Sequence, residues 1–158
     1  MAESLTEQVL SLLPHAQSQY YRLILLVAPP GKGKTRALQE IARSTGVPLI
    51  NINLELSRRM LDLTQRQRQL QLSQLLNGIL SESNSDTVLL DNIEMLFSVE
   101  LKQDTLRLLQ GLSRNKTLVV AWNGLIKNDC VIYGSPEHAE YRKCQIRDFM
   151  IVGSEISM

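Results

Sequence analysis

The chain alternates short, nearly unbroken apolar runs with longer stretches in which apolar residues recur every third or fourth position. That alternation predicts buried parallel strands interleaved with amphipathic helices, an α/β layered fold. A first helix follows Ser4, with Glu7 at the capping-box spacing and Leu5, Val9, Leu12 and Leu13 on one face; Pro14 is expected to end it. Tyr21–Ala28, YRLILLVA, is apolar almost throughout, as a strand covered on both faces must be. After a glycine-rich turn, Lys34–Ser44 reads as a helix with Leu38, Ile41 and Ala42 inward, closed by Gly46 and Pro48. Pro48–Asn53 reads as a second strand. Leu54–Leu63 and Leu70–Leu80 read as helices joined by a polar link, Thr64–Gln69. Ser81–Asp86 is a loop, and Thr87–Leu90 is a third strand ending in Asp91. Asp104–Leu112 is an amphipathic helix, Thr117–Trp122 a fourth strand ending at Asn123, and Gln145–Val152 a fifth, weaker strand.

No linker rich in Pro, Gly or Ser and no internal repeat divides the 158 residues, so one domain over 1–158 is expected, with a helix and lead-in over 1–20 and a core over 21–152. Seventeen basic and sixteen acidic residues leave a net charge of +1, which argues against a dedicated DNA-binding chain. Arg58, Arg59, Arg66 and Arg68 lack interleaved aromatics, so they read as a solvated face before they read as a nucleic-acid contact. No apolar run approaches the ~20 residues that span a bilayer. The N-terminus carries Glu3 and Glu7 rather than a basic start, so no membrane role is expected and the cytoplasm is the expected compartment. Cys130 and Cys144 read as free thiols, with a disulfide between them the lesser alternative; with His138 they are too irregularly spaced for a metal site.

The candidate chemistry starts at the turn after the first strand, Ala28-Pro-Pro-Gly-Lys-Gly-Lys-Thr35. It matches the Walker A phosphate-loop pattern with Ala28 in place of the first glycine, and it stands between a strand and a helix. Gly31 and Gly33 let the backbone curl so that N–H groups point at phosphate oxygens. Pro30, Gly31, Lys32, Gly33, Lys34, Thr35 and Arg36 form the expected nucleotide cradle. Lys34 is aimed at the β- and γ-phosphates and Thr35 offers a hydroxyl to Mg²⁺. Asp91, at the end of an apolar strand, fits the Walker B carboxylate that supports the metal; a strand-ending turn residue is the plainer alternative.

The loop APPGKGKT resembles that of AAA+ ATPases, and several further roles follow from that resemblance. Proteins of this type carry Asp-Glu at the second motif, whereas this chain reads Asp91-Asn92-Ile93-Glu94. Asn92 cannot accept a proton. Glu94 is a substitute base or, equally, an acidic residue in a helix's first turn. Asn123 resembles the sensor that reads γ-phosphate, though Asn-Gly is also a strong turn dipeptide. Arg114 is the candidate arginine finger toward a neighbouring subunit; a surface arginine at a helix end fits it at least as well.

As a whole the chain resembles the BrxF family, the small P-loop proteins of type 3 BREX phage-defence systems. The resemblance rests on LLPHAQSQYYRLILLVAPPGKGKT, VLLDNIEMLF, LRLLQGLSR, LVVAWNG and HAEYR. It implies a three-layer, AAA+-like P-loop NTPase with a five-stranded, mainly parallel sheet. With six residues after Val152, no C-terminal helical lid is expected. The implied cofactors are ATP and Mg²⁺. The implied activity is a slow or partner-stimulated ATPase in an accessory protein that self-associates and works with other BREX proteins, DNA being reached only indirectly. A non-hydrolysing ATP-binding scaffold is the alternative, which Asn92 keeps open.

Overall fold

Leu23, Ile24, Leu25, Leu26 and Val27 are all buried, and the two faces of this strand feed two separate cores. In the computed structural model, which describes residues 4–134 and 137–153, the strand is β1 (Leu23–Ala28). Leu23, Leu25 and Val27 face one core; Ile24 and Leu26 face the other. Such two-sided burial is what an unbroken apolar run requires.

The second core is covered by α1 (Leu5–Ala16) and α2 (Lys34–Thr45), through Val9, Ala16, Leu38 and Ile41. The first is covered by α3 (Ile52–Met60), α4 (Gln65–Ser81) and α5 (Thr105–Leu112), through Leu56, Leu72, Leu76, Leu109 and others. Between them lies a parallel sheet of β2 (Leu49–Asn51), β3 (Thr87–Asp91), β4 (Thr117–Lys127), β1 and β7 (Met150–Val152), in the order β2-β3-β4-β1-β7. The expected three layers and five parallel strands are present. β4 lies between β1 and β3, so the two motif-bearing strands are separated by one other, as the 56-residue spacing of Thr35 and Asp91 suggests.

Several boundaries differ from expectation, each for a local reason. The first helix passes Pro14 and ends at Ala16, because a proline in the last turn forfeits only one helical bond. The second strand stops at Asn51, whose side chain accepts from Leu54 N at 3.0 Å and caps α3. The polar link 64–69 is mostly helix: Thr64 and Gln67 form a capping box that starts α4 at Gln65.

The largest departure follows Trp122. β4 does not end at Asn123 but runs on to Lys127 and turns back as β5 (Cys130–Tyr133), which pairs with β6 (Arg142–Gln145). The turn is Asn128-Asp129, both at positive φ (51° and 60°), the two-residue hairpin geometry. Of the expected strand 145–152, Gln145 ends β6 in this ribbon, 146–149 is not strand, and Met150–Val152 is β7 in the parallel sheet. Residues 135–136 and the stretch after residue 153, which bears on the expectation of no helical lid, lie outside the described residues. No helix among the described residues is long and apolar enough to cross a membrane.

Candidate nucleotide site

The phosphate loop occupies the carboxyl end of β1, where open α/β sheets gather ligands. Gly31 (φ 78°) and Gly33 (φ 93°) both take the left-handed region that favours glycine. Gly33 is also the N-cap of α2 and supplies no side-chain bond to it, which leaves the helix start open to an anion. Lys34 is buried, and its Nζ donates to Ala28 O at 2.8 Å and Pro29 O at 2.9 Å. Burial lowers its pKa, while Asp91 and Glu94 raise it in opposition.

Thr35 Oγ1 donates to Asp91 Oδ2 at 2.7 Å, so the two candidate metal ligands already touch. Asp91 is 7% exposed, and its other oxygen accepts from Asn92 N at 2.9 Å. A hydroxyl beside a carboxylate is a hard-oxygen pair that suits Mg²⁺. Among the described residues no three His, Cys, Asp or Glu side chains gather as a metal cluster, and Cys130 and Cys144 are free thiols.

Asn92 stands at φ 54°, a conformation asparagine tolerates and most residues avoid. The turn it makes leads into a short 3₁₀ helix, Glu94–Phe97. Asn53 clamps this turn twice. Its N–H donates to Asn92 O at 2.8 Å, and its Oδ1 accepts from Met95 N at 3.0 Å. No local sequence pattern marks Asn53, since the clamp reaches across 42 residues. Glu94 is half-buried. Burial first, then the Asp91 charge, push its carboxyl above the usual range, against the pull of two backbone hydrogen bonds and Lys34.

Asn123 pairs with Ala28 across β4 and β1, beside the start of the loop. Pro30, Gly31, Gly33, Lys34, Thr35, Arg36, Asp91, Asn92 and Asn123 line one cleft of about 320 Å³. Of the expected cradle, Lys32 is exposed and outside that lining, and Arg36 is exposed and paired with Glu40 at 3.5 Å. Arg114 is not brought to the cleft. It lies just after α5, near the start of β4, with its guanidinium 3.7 Å from the Tyr20 ring centre.

Residues 24–128 match the profile of the ATPase family associated with various cellular activities, AAA. The chain belongs to the AAA family. The match runs from β1 into the β4–β5 turn, so it holds the phosphate loop, Asp91, Glu94 and Asn123. Among solved structures, this AAA chain is similar to "Structure of C. elegans PCH-2", at 18% identity and a TM-score of 0.48, over 89% of this chain and 41% of that one. It therefore spans less than half of that protein's length. No curated protein matches it.

Proposed function

We propose that this chain binds ATP with Mg²⁺ and hydrolyses it slowly as a nucleotide-dependent switch or assembly factor. The observation that carries this reading is the contact of Thr35 with Asp91 at 2.7 Å beside the buried Lys34, at the end of parallel strands in a chain of the AAA family. The left-handed glycines and the uncapped start of α2 supply backbone donors for phosphate, and Lys34 exchanges its two carbonyl partners for phosphate oxygens. Thr35 and Asp91 would hold Mg²⁺, which when bound would neutralise phosphate charge. Asn123 reads the γ-phosphate. Glu94 takes the proton of the attacking water, since its carboxyl can accept where the Asn92 amide cannot.

The wider setting rests on the resemblance to the BrxF family: an accessory protein of a bacterial BREX defence system that self-associates, acts with other proteins of that system and meets DNA through them. The domain reading, a single nucleotide-binding unit over 1–158, and the cytoplasmic setting belong to the same proposal. A second reading, a scaffold that binds ATP without hydrolysing it, is favoured by Asn92 alone. Steady-state phosphate release with and without DNA, for the wild type and Lys34→Ala, tests the proposal. Release that depends on Lys34 supports the ATPase; tight ATP binding with no release supports the scaffold.

A further inference from the structure

β4 passes the nucleotide cleft at Asn123 without a break, and the ribbon it enters brings an aromatic side chain to the cavity beside that cleft. In a 3₁₀ helix, side chains three apart eclipse. Glu94 and Phe97 are the first and last residues of such a helix, so they leave it on the same side. Phe97 is fully buried, and Tyr133 from β5 stacks on its ring with centroids 3.5 Å apart and planes within 3°. Trp122 meets both edge-on, 5.0 Å from Phe97 and 6.2 Å from Tyr133. Tyr133 therefore stands over the face that carries Glu94. It also borders, with Pro29, Pro30 and Asn123, a cavity of about 730 Å³ that shares Pro30 and Asn123 with the lining of the nucleotide cleft.

The ribbon is pinned where it must be to place that ring. Tyr133 pairs with Gly124, one residue beyond Asn123. Trp122 Nε1 donates to Ile132 O at 3.3 Å. A Cβ on Gly124 would stand 1.8 Å from that same oxygen, so only glycine lets the strands approach this closely.

We propose that Tyr133 is a positioning residue for Glu94: stacked on Phe97, its ring steadies the 3₁₀ helix and shuts bulk water away from the carboxyl. The carboxyl's task rests on the ATPase reading; its placement does not. The charged groups that act on Glu94 are Asp91 of β3 and Lys34 of α2, with the Tyr133 phenol facing it from β5. That phenol is pushed up to about 12, by burial first and then by Glu94 and Glu140. Tyr133 is thus neutral near pH 7 and acts by excluding water, a task that phenylalanine can also perform.

The test uses the full chain as wild type, Tyr133→Leu, Tyr133→Phe and Phe97→Leu. Three properties are read: ATP affinity, turnover against pH, and the Glu94 carboxyl titration by carbon-13 NMR without nucleotide. Tyr133→Leu is expected to lower turnover by about tenfold or more while ATP affinity stays within about twofold, because only the base is weakened. Its acid limb and its Glu94 titration both move to lower pH, and Tyr133→Phe keeps the wild-type values. Phe97→Leu breaks the stack from the other side and should move the titration the same way, which serves if Tyr133→Leu does not fold. A Glu94 titration unchanged in the folded leucine variants overturns the proposal, as does loss of ATP affinity in step with turnover. Should the wild type show no turnover while the titration still moves, the ATPase reading falls and the positioning role stands.

Discussion

Two walls meet at Asn123, and different physics holds each. In the polar wall, Lys34, Thr35, Asp91 and Asn92 bond to one another or to loop carbonyls at 2.7 to 2.9 Å. In the aromatic wall, Trp122, Phe97 and Tyr133 pack ring against ring beside Gly124. Each hydrogen bond of the polar wall has donors or acceptors that phosphate, water or a cation can replace, so its rearrangement costs only the difference between two bonds. The aromatic wall has nothing to exchange, and moving it opens close-packed area. Changes in the polar wall should therefore appear in binding and turnover. Changes in the aromatic wall should appear in stability and in the setting of Glu94.

The comparison breaks most visibly at Glu94, which feels Asp91 and Lys34 of the polar wall and shares its 3₁₀ helix with Phe97 of the aromatic wall. Glu94→Gln should lower turnover by about 10²–10⁴-fold, the usual worth of a general base, with ATP affinity nearly unchanged. A base at Glu94 must be ionised and the Glu94 pKa is raised, so on the proposed reading wild-type turnover should fall on acidification at a pH above the ordinary carboxylate range. Stability has its own sign. A raised pKa in the fold means that the neutral carboxyl is favoured there, so wild-type stability declines as pH rises through that pKa. Glu94→Gln should therefore be more stable than the wild type at pH 8, and the gap should close near pH 4. Thermal melts at both values check this.

Lys34→Ala is the cleanest break of the polar wall. Losing a charged hydrogen-bond donor should weaken ATP binding by about 10–100-fold. The side chain makes no bond to the packed cores, only to the loop carbonyls of Ala28 and Pro29, so the melting temperature should hold. Calorimetric titration with ATP reads the first effect and a melt the second. Unchanged affinity in a folded variant would sink the phosphate-loop assignment.

The polar wall is largely legible in the sequence and the aromatic wall is not, for a physical reason. APPGKGKT and VLLD each specify a local backbone course, and the strand-turn-helix around the loop follows from residues within a few positions. Asn123-Gly124 carries a local turn signal too, but strand pairing overrides it: the turn falls at Asn128-Asp129, and Gly124 is used for close approach to Ile132 O. Asn92 reads in sequence as a missing base; at φ 54° it is a turn residue that leads the chain to Glu94. Asn53 meets Met95 and Tyr133 meets Phe97 through contacts that bridge distant segments, which no periodicity announces.

Gly124→Ala tests the aromatic wall in isolation. The added methyl meets a backbone carbonyl rather than a flexible side chain, so strands β4 and β5 must part. Overpacking of this kind costs about 1–3 kcal/mol. Urea unfolding should show that loss, while the Lys34 and Thr35 contacts keep ATP affinity close to wild type. A variant as stable as the wild type would mean that the ribbon is not held as tightly as the Trp122–Ile132 bond implies.

The smallest effect is expected away from both walls, at Arg114. Its guanidinium covers the exposed Tyr20 ring, and an exposed cation–π pair contributes about 0.5–1 kcal/mol. Arg114→Ala should lose no more than that in stability. In dilute chain its ATP affinity should be unchanged, because Thr117 and Asn123 stand at opposite ends of six strand steps, roughly 20 Å at ~3.3 Å each. A role toward a second copy's nucleotide would show differently. Turnover per chain would rise with protein concentration in the wild type as copies associate, and the variant would lose that rise while still binding ATP. By linkage, ATP would also promote association in the wild type. Sedimentation and phosphate release, followed together across concentration, separate the two roles. An equal concentration dependence in both proteins assigns Arg114 to the packing of Tyr20; loss of the concentration-dependent part assigns it to the neighbour's site.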